Sequence, residues 1–355
     1  MKNKAFFYSF AAILGIIAAV VLVNLMKVEG PEGPVGPGAK KPPTEFKMLD
    51  STVENLMLNV FKSPAPVSNH GKNVDRMIVF VHILMAILFV GWSLYFLAAL
   101  IKFNSKSNPK ADYHGVRSKV GTTVAEYGVI LVEVVLITCF AVPLWADVVN
   151  EEQMEKIKAA SKEGKGNGLE LHILAKQYDW NARYAGNDGR FEKQALRFAN
   201  KVDNPFGIDP KKADVDDVII TTARSKDNAI VVPWDRPVAL KMTSMDVIHS
   251  FKVLPLRVCK DCIPGLQLPI HFKVNPELLK DKNGKPANKE GDEHLFLITC
   301  AQLCGDGHGY MNGYLKVVHP KKFDEWLETK SRAELEKRKA AKIKPDLAAN
   351  ISSAK

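Results

Sequence analysis

Residues 300–311, CAQLCGDGHGYM, place two cysteines, a histidine and a methionine on one short loop. Cys304, His308 and Met311 follow the order thiolate, imidazole, weak thioether found at single-copper electron-transfer sites. Cys300 adds a second thiolate, and two thiolates on one tight loop can both bridge a pair of copper ions. A shared pair spreads one unpaired electron, so geometry changes little on reduction and transfer is fast. Such a pair needs one more imidazole from elsewhere in the chain. His249, in MTSMDVIHSF just after a strand-like run, is the candidate. Gly305, Gly307, Gly309 and Gly313 let the backbone turn tightly around the metals.

The remaining three of the five cysteines read differently. Cys139 lies inside an apolar run. Cys259 and Cys262 form a second close pair, and four cysteines in two pairs can make a zinc site. Zinc would leave His249, His308 and Met311 unexplained, and methionine is a poor zinc ligand. Cys259 and Cys262 read instead as a local disulfide or as two packed thiols. No histidine follows the pair, which excludes covalent haem attachment. His82, His172, His271, His294 and His319 read as structural.

The elements that must position this loop come in two kinds. Three apolar stretches, residues 5–26, 77–101 and 127–146, are long enough to cross a bilayer as helices. The first is a retained helix or a cleaved signal; its length and the lack of a small-x-small cleavage site favour retention. The connection after the second stretch carries Lys102, Lys106, Lys110, Arg117 and Lys119 against one acid, Asp112. That excess puts it in the cytoplasm and everything after the third stretch outside. Glu133 interrupts the third stretch and costs about 2.5–3.5 kcal/mol in hydrocarbon, so a partner inside the membrane is implied.

Between the membrane stretches, residues 27–76 read as an external linker, with GPEGPVGPGAKKPP as its spacer. From Leu169 the pattern becomes short β-type runs: LELHILAKQYDW, DVIITTA, AIVVP, VALKMTS, HLFLITC and GYLKVVH. Short strands with turns between them predict a sandwich or barrel over residues 148–327. Residues 281–292 read as a polar surface loop. Residues 323–344 read as a charged, solvated helix ended by Pro345, and residues 328–355 as the charged tail. Lys and Arg number 49 against 39 Asp and Glu, an excess of ten that suits anionic lipid or an acidic partner. No groove-reading or arginine-rich pattern points to nucleic acid.

DVIHSF followed by a Cys-x-x-x-Cys-Gly-x-x-His-x-x-Met loop resembles cytochrome c oxidase subunit II. IPG at 263–265, QYDWNARY at 177–184 and the ending KKFDEWL extend the resemblance over residues 75–327. It implies two or three transmembrane helices followed by an outward-facing, cupredoxin-like Greek-key sandwich at the bacterial inner membrane. Cys300 and Cys304 would bridge two copper ions, with His249 and His308 as one terminal ligand each. Met311 would be a weak ligand to one copper, and Gln302 would offer its backbone carbonyl to the other. Many members carry Glu where Gln302 stands, and that carboxylate helps hold a magnesium ion; Gln302 puts the magnesium in doubt. The residue that first receives electrons is usually Trp after Gln, whereas here Tyr178 follows Gln177 and Trp180 comes two later. Either could serve.

The implied activity is that of a subunit, not of the oxygen-reducing centre. The chain would accept electrons from a cytochrome c and pass them to a haem-copper catalytic subunit. That partner reduces oxygen to water and pumps protons. A quinol oxidase subunit would lack this ligand set, and a nitrous oxide reductase would need a large His-rich domain. A membrane-tethered copper carrier is the remaining alternative, one that would purify without haem partners.

Overall fold

The structure is a computed structural model describing residues 51–106, 118–162, 167–212, 214–281 and 283–353. The apolar stretch 5–26 and the Pro/Gly-rich spacer lie outside the described residues. The chain divides into two compact units.

The first unit is helical. Residues 51–55 are α-helical and Leu56–Val60 continue as a π turn, where the sequence predicted linker. Two helices follow, α1 (Gly71–Lys102) and α2 (Lys119–Leu136). Ser118 caps α2, its hydroxyl accepting from the Gly121 N–H at 3.1 Å, which satisfies one of the donors left open at a helix start. A π turn at Ile137–Ala141 joins α2 to α3 (Val142–Val149). These helices begin before the predicted stretches 77–101 and 127–146. Both are long and apolar enough to cross a membrane. Glu133 stands exposed on α2.

The second unit comprises residues 64–71 and those after 147. It opens with α4 (Glu151–Lys162). Ten strands follow: β1 (Leu169–Lys176), β2 (Asp179–Tyr184), β3 (Val218–Thr221), β4 (Ile230–Pro233), β5 (Pro237–Ser244), β6 (His249–Val253), β7 (Val258–Cys262), β8 (Leu268–Lys273), β9 (Glu293–Cys300) and β10 (Asn312–Val318). They form two five-stranded sheets, β3-β2-β1-β5-β8 and β4-β10-β9-β6-β7. Pairing is antiparallel except for β1 with β5 and β4 with β10. This is the expected cupredoxin-like sandwich.

Alternation explains the core. Leu171, Ile173 and Ala175 of β1 point into it, with Trp180, Ala182 and Tyr184 of β2 and Phe251 and Val253 of β6. The outer face of the first sheet is also covered. Leu174 packs with Phe206, Ile208 and Val215 from the β2–β3 connection, and Ala239 packs under Met154 and Ile157 of α4. Arg183 is buried on this sheet with its guanidinium on Asp217, the Nε donating at 2.8 Å.

Two segments expected to be free are built into this unit. Pro64–Gly71 runs along the sandwich: Val67 N–H donates to Pro255 O at 2.8 Å and Asn275 N–H donates to Val67 O at 2.9 Å. The Ser68 hydroxyl donates to Leu256 O at 2.6 Å. At the other end, α5 (Pro320–Ser353) continues through Pro345 rather than stopping there. A proline forfeits a backbone hydrogen bond inside a helix, and this helix carries that loss. Phe323 of α5 joins the main core with Trp326 and Leu327 against it. Asp324 receives both terminal nitrogens of Arg236, at 2.8 and 3.0 Å. Ser331, past the expected domain end at 327, is buried and donates to Asp216 at 2.7 Å.

Candidate metal centre

His249 is the first residue of β6 and Cys300 the last of β9, and these strands are neighbours in the second sheet. The β9–β10 connection then carries Gln302, Cys304 and His308, and Met311 directly precedes β10. Sheet register thus brings His249 to a loop more than fifty residues later in sequence, |i−j| being 51 for its contact with Cys300. All six predicted ligands converge.

Their spacing falls into two halves. Cys300 Sγ lies 3.9 Å from His249 Nδ1 and 3.1 Å from the Gln302 carbonyl oxygen. Cys304 Sγ lies 3.6 Å from His308 Nδ1 and 3.8 Å from Met311 Sδ. The two sulfurs face each other at 3.8 Å, well beyond the roughly 2.05 Å of a disulfide, and both thiols are free. Donor atoms of His249, Cys300 and Cys304 lie within 4.8 Å of one another, close enough for a shared metal ion. Thiolate, imidazole and thioether donors together suit copper, and the residues present fit it.

Electrostatics prepares one thiolate. Burial favours the neutral thiol at Cys300, but hydrogen bonds from His249 and from the Ser250 and Gln302 backbone overcome it and lower the thiol to about 6. At Cys304 burial and the adjoining Cys300 act in the same direction and push the thiol up to about 12. His249 is pulled down by burial, yet its contacts with Cys300 and Asp246 prevail and raise it. Asp246 accepts from His249 Nε2 at 2.9 Å, which leaves Nδ1 to face Cys300. Burial works against the Asp246 charge, but the Gln177 N–H, His249, the Val247 N–H and Lys201 hold the carboxyl down to about 2.

The other sheet closes over the centre. Trp180 is fully buried, edge-on to His249 at 6.2 Å and to Phe251 at 5.3 Å. Tyr178 is half-buried and meets the exposed Tyr310 edge-on at 6.1 Å. Gly305 sits at φ 122°, and a Cβ there would come 2.7 Å from the Tyr178 hydroxyl; one on Gly307 would come 2.4 Å from the Tyr178 ring. Both glycines are needed for close approach. Gln177, Asp246 and Lys201, which contribute hydrogen bonds here, carried no assigned role in the sequence. Gln177 and Asp246 nevertheless stand inside the motifs QYDWNARY and DVIHSF.

Neither Cys259 nor Cys262 joins the ligand group, although Cys262 stands opposite His249 in the β6–β7 pairing. They point to opposite faces of β7, Cys259 exposed and Cys262 buried, so the local disulfide is not formed. Burial pushes the Cys262 thiol up to about 12. Among the described residues the metal-ligating group contains neither, which removes the tetrathiolate zinc reading.

Residues 175–318 match the family model for cytochrome c oxidase subunit II, periplasmic domain. A probable cytochrome c oxidase subunit 2 of Rickettsia conorii is 26% identical over 266 residues, covering 74% of this chain and 67% of that one. Cytochrome c oxidase subunit 2 of Cereibacter sphaeroides is 25% identical over 258 residues, 70% of this chain and 73% of that one. The periplasmic domain of subunit II of cytochrome oxidase from Bradyrhizobium japonicum, a crystal structure, is 25% identical and covers 46% of this chain and 94% of its own, with a TM-score of 0.31. Fold and site together define a membrane-anchored cupredoxin-like domain with a thiolate, imidazole and thioether donor set. The sequence matches are specific: residues 175–318 are similar to the periplasmic domain of cytochrome c oxidase subunit II, and the relatives that cover most of the chain are subunit 2 proteins. Two described helices are long and apolar enough to cross a membrane, and the matched periplasmic-domain family implies copper.

Proposed function

We propose that this chain accepts electrons one at a time at a dinuclear copper centre and relays them to haem in a haem-copper catalytic subunit. The single observation that carries the reading is the division of six donors around two sulfurs 3.8 Å apart. A copper pair held there would supply a one-electron carrier.

Cys300 and Cys304 would hold both ions, His249 with the Gln302 carbonyl would serve one side, and His308 with Met311 would serve the other. Asp246 orients His249, and Trp180 and Phe251 exclude water from its inner side. Of the two aromatic candidates, Tyr178 is the better receiver: it reaches the surface beside Tyr310, whereas Trp180 has no exposed area to offer a donor. A cytochrome c is the donor, and the partner subunit reduces oxygen to water and pumps protons. The cytoplasmic placement of Lys102, Lys106 and Lys119 puts the copper domain on the outer side of a bacterial inner membrane. The Gln302 side chain is exposed and has no carboxylate, so this chain gives an interface magnesium ion no ligand of the usual type.

Loading the full-length detergent-solubilised chain with equal amounts of Cu(I) and Cu(II) and recording its electron paramagnetic resonance spectrum tests the reading. Two coppers per chain sharing one electron are expected. A single-copper signature, or preference for zinc, overturns it. Haem co-purifying from native membranes separates an oxidase subunit from a free-standing copper carrier.

A further inference from the structure

We infer that Gln177 is a positioning residue that locks the electron-receiving turn to both ligand-bearing segments of the metal centre. The inference rests on the copper reading proposed above and deepens it.

Gln177 joins three parts of the site through two separate bonds. Its side-chain Nε2 donates to the Cys304 carbonyl at 2.8 Å, across 127 residues of sequence. Its backbone N–H donates to Asp246 Oδ2 at 2.9 Å, and the other oxygen of that carboxylate holds His249 Nε2 at 2.9 Å. The next residue is Tyr178. One turn therefore touches the thiolate loop directly, reaches the imidazole through Asp246, and presents the ring over the site.

The neighbouring loop is shaped to admit this turn. A Cβ on Gly305 would stand 3.0 Å from Gln177 Nε2 as well as 2.7 Å from the Tyr178 hydroxyl. A side chain at 305 would crowd this amide and require it to give way by a few tenths of an ångström. The bond also fixes the direction of the peptide that carries the Cys304 sulfur toward Cys300 and His308. Only a donor can do this. A glutamate at 177 would set a carboxylate against a carbonyl oxygen, with similar volume and the wrong polarity. Gln177 touches no metal donor atom itself, so its effect passes through Cys304 and Asp246.

The test uses the full-length chain, loaded with equal amounts of Cu(I) and Cu(II), as wild type, Gln177→Leu and Gln177→Glu. Copper content, the paramagnetic resonance and visible spectra, the rate of reduction by a photoexcited ruthenium complex and thermal unfolding are measured on each. Both variants are expected to keep wild-type copper content and melt within a few degrees of wild type, yet to show altered hyperfine splitting and about tenfold slower reduction. Wild-type spectra and rates in both variants overturn the inference. Loss of folding in both also overturns it, because Gln177 would then be a folding residue. If the wild type shows no shared-electron signal, the copper reading itself fails and this role goes with it; a normal wild type with unaltered variants defeats the Gln177 role alone.

Discussion

The sheet β4-β10-β9-β6-β7 holds every candidate ligand on its strand ends and the β9–β10 loop, while the sheet β3-β2-β1-β5-β8 holds none. The second of these supplies what closes over the donors: Trp180 from β2, Gln177 and Tyr178 from the β1–β2 turn, and Asp246 just after β5. The difference is one of labour. In the proposed reading one sheet would bind the metals, and the opposing sheet would orient, insulate and face the electron donor. Ligand binding and electron delivery can therefore be damaged separately, because the side chains responsible arrive from different layers.

The largest effect should come from the binding layer. Cys300→Ser removes one bridge and should abolish the shared-electron resonance entirely, while circular dichroism shows the β unit still folded. A surviving shared-electron signal would mean that the two sulfurs do not bridge. In the covering layer, Trp180→Ala should lower unfolding stability by about 3–5 kcal/mol, the usual cost of emptying a large aromatic site. Its indole N–H finds no partner among the described residues, so Trp180→Phe should cost much less. Equal losses in the two variants, measured by denaturant unfolding, would assign the indole nitrogen a role that the geometry does not give it.

The smallest effect sharpens the comparison by pH. In the copper-free protein the Asp246 carboxyl is held at about 2, below its ordinary 3.8. A depressed folded value favours the charged form, so its stabilisation is complete above about pH 4 and fades as pH falls toward 2. Solvent near the rim screens these contacts, so Asp246→Asn should cost about 1 kcal/mol at neutral pH. The gap from wild type should close on acidification. A gap that stays constant between neutral and acid pH would show that the charge is not what the fold uses.

The same division explains what could be read without a structure. The ligands were legible because thiolate, imidazole and thioether are rare residue types crowded into residues 300–311, and because DVIHSF flags His249 as a distant partner. The covering layer was legible only in Tyr178 and Trp180. Gln177 and Asp246 are ordinary polar residues whose roles arise from contacts between segments far apart in sequence. Strand β7, VCKDC, alternates too weakly to announce itself, and β8, LPIHFK, carries a proline. SPAPVSNH at 63–70 has turn-forming composition, yet much of it pairs along the sandwich. The charged face of α5 concealed the stripe of Phe323, Trp326, Leu327 and Ser331 that docks it.

The placement of Pro64–Gly71 has a bearing on biogenesis. Those residues leave the ribosome before α1 and α2, but Ser68 must wait for Leu256, 188 positions later. At about 5–20 residues per second, the delay is roughly ten to forty seconds. During it, the membrane hairpin is synthesised as an excursion from a domain already begun, and bilayer insertion can precede closure of the sandwich.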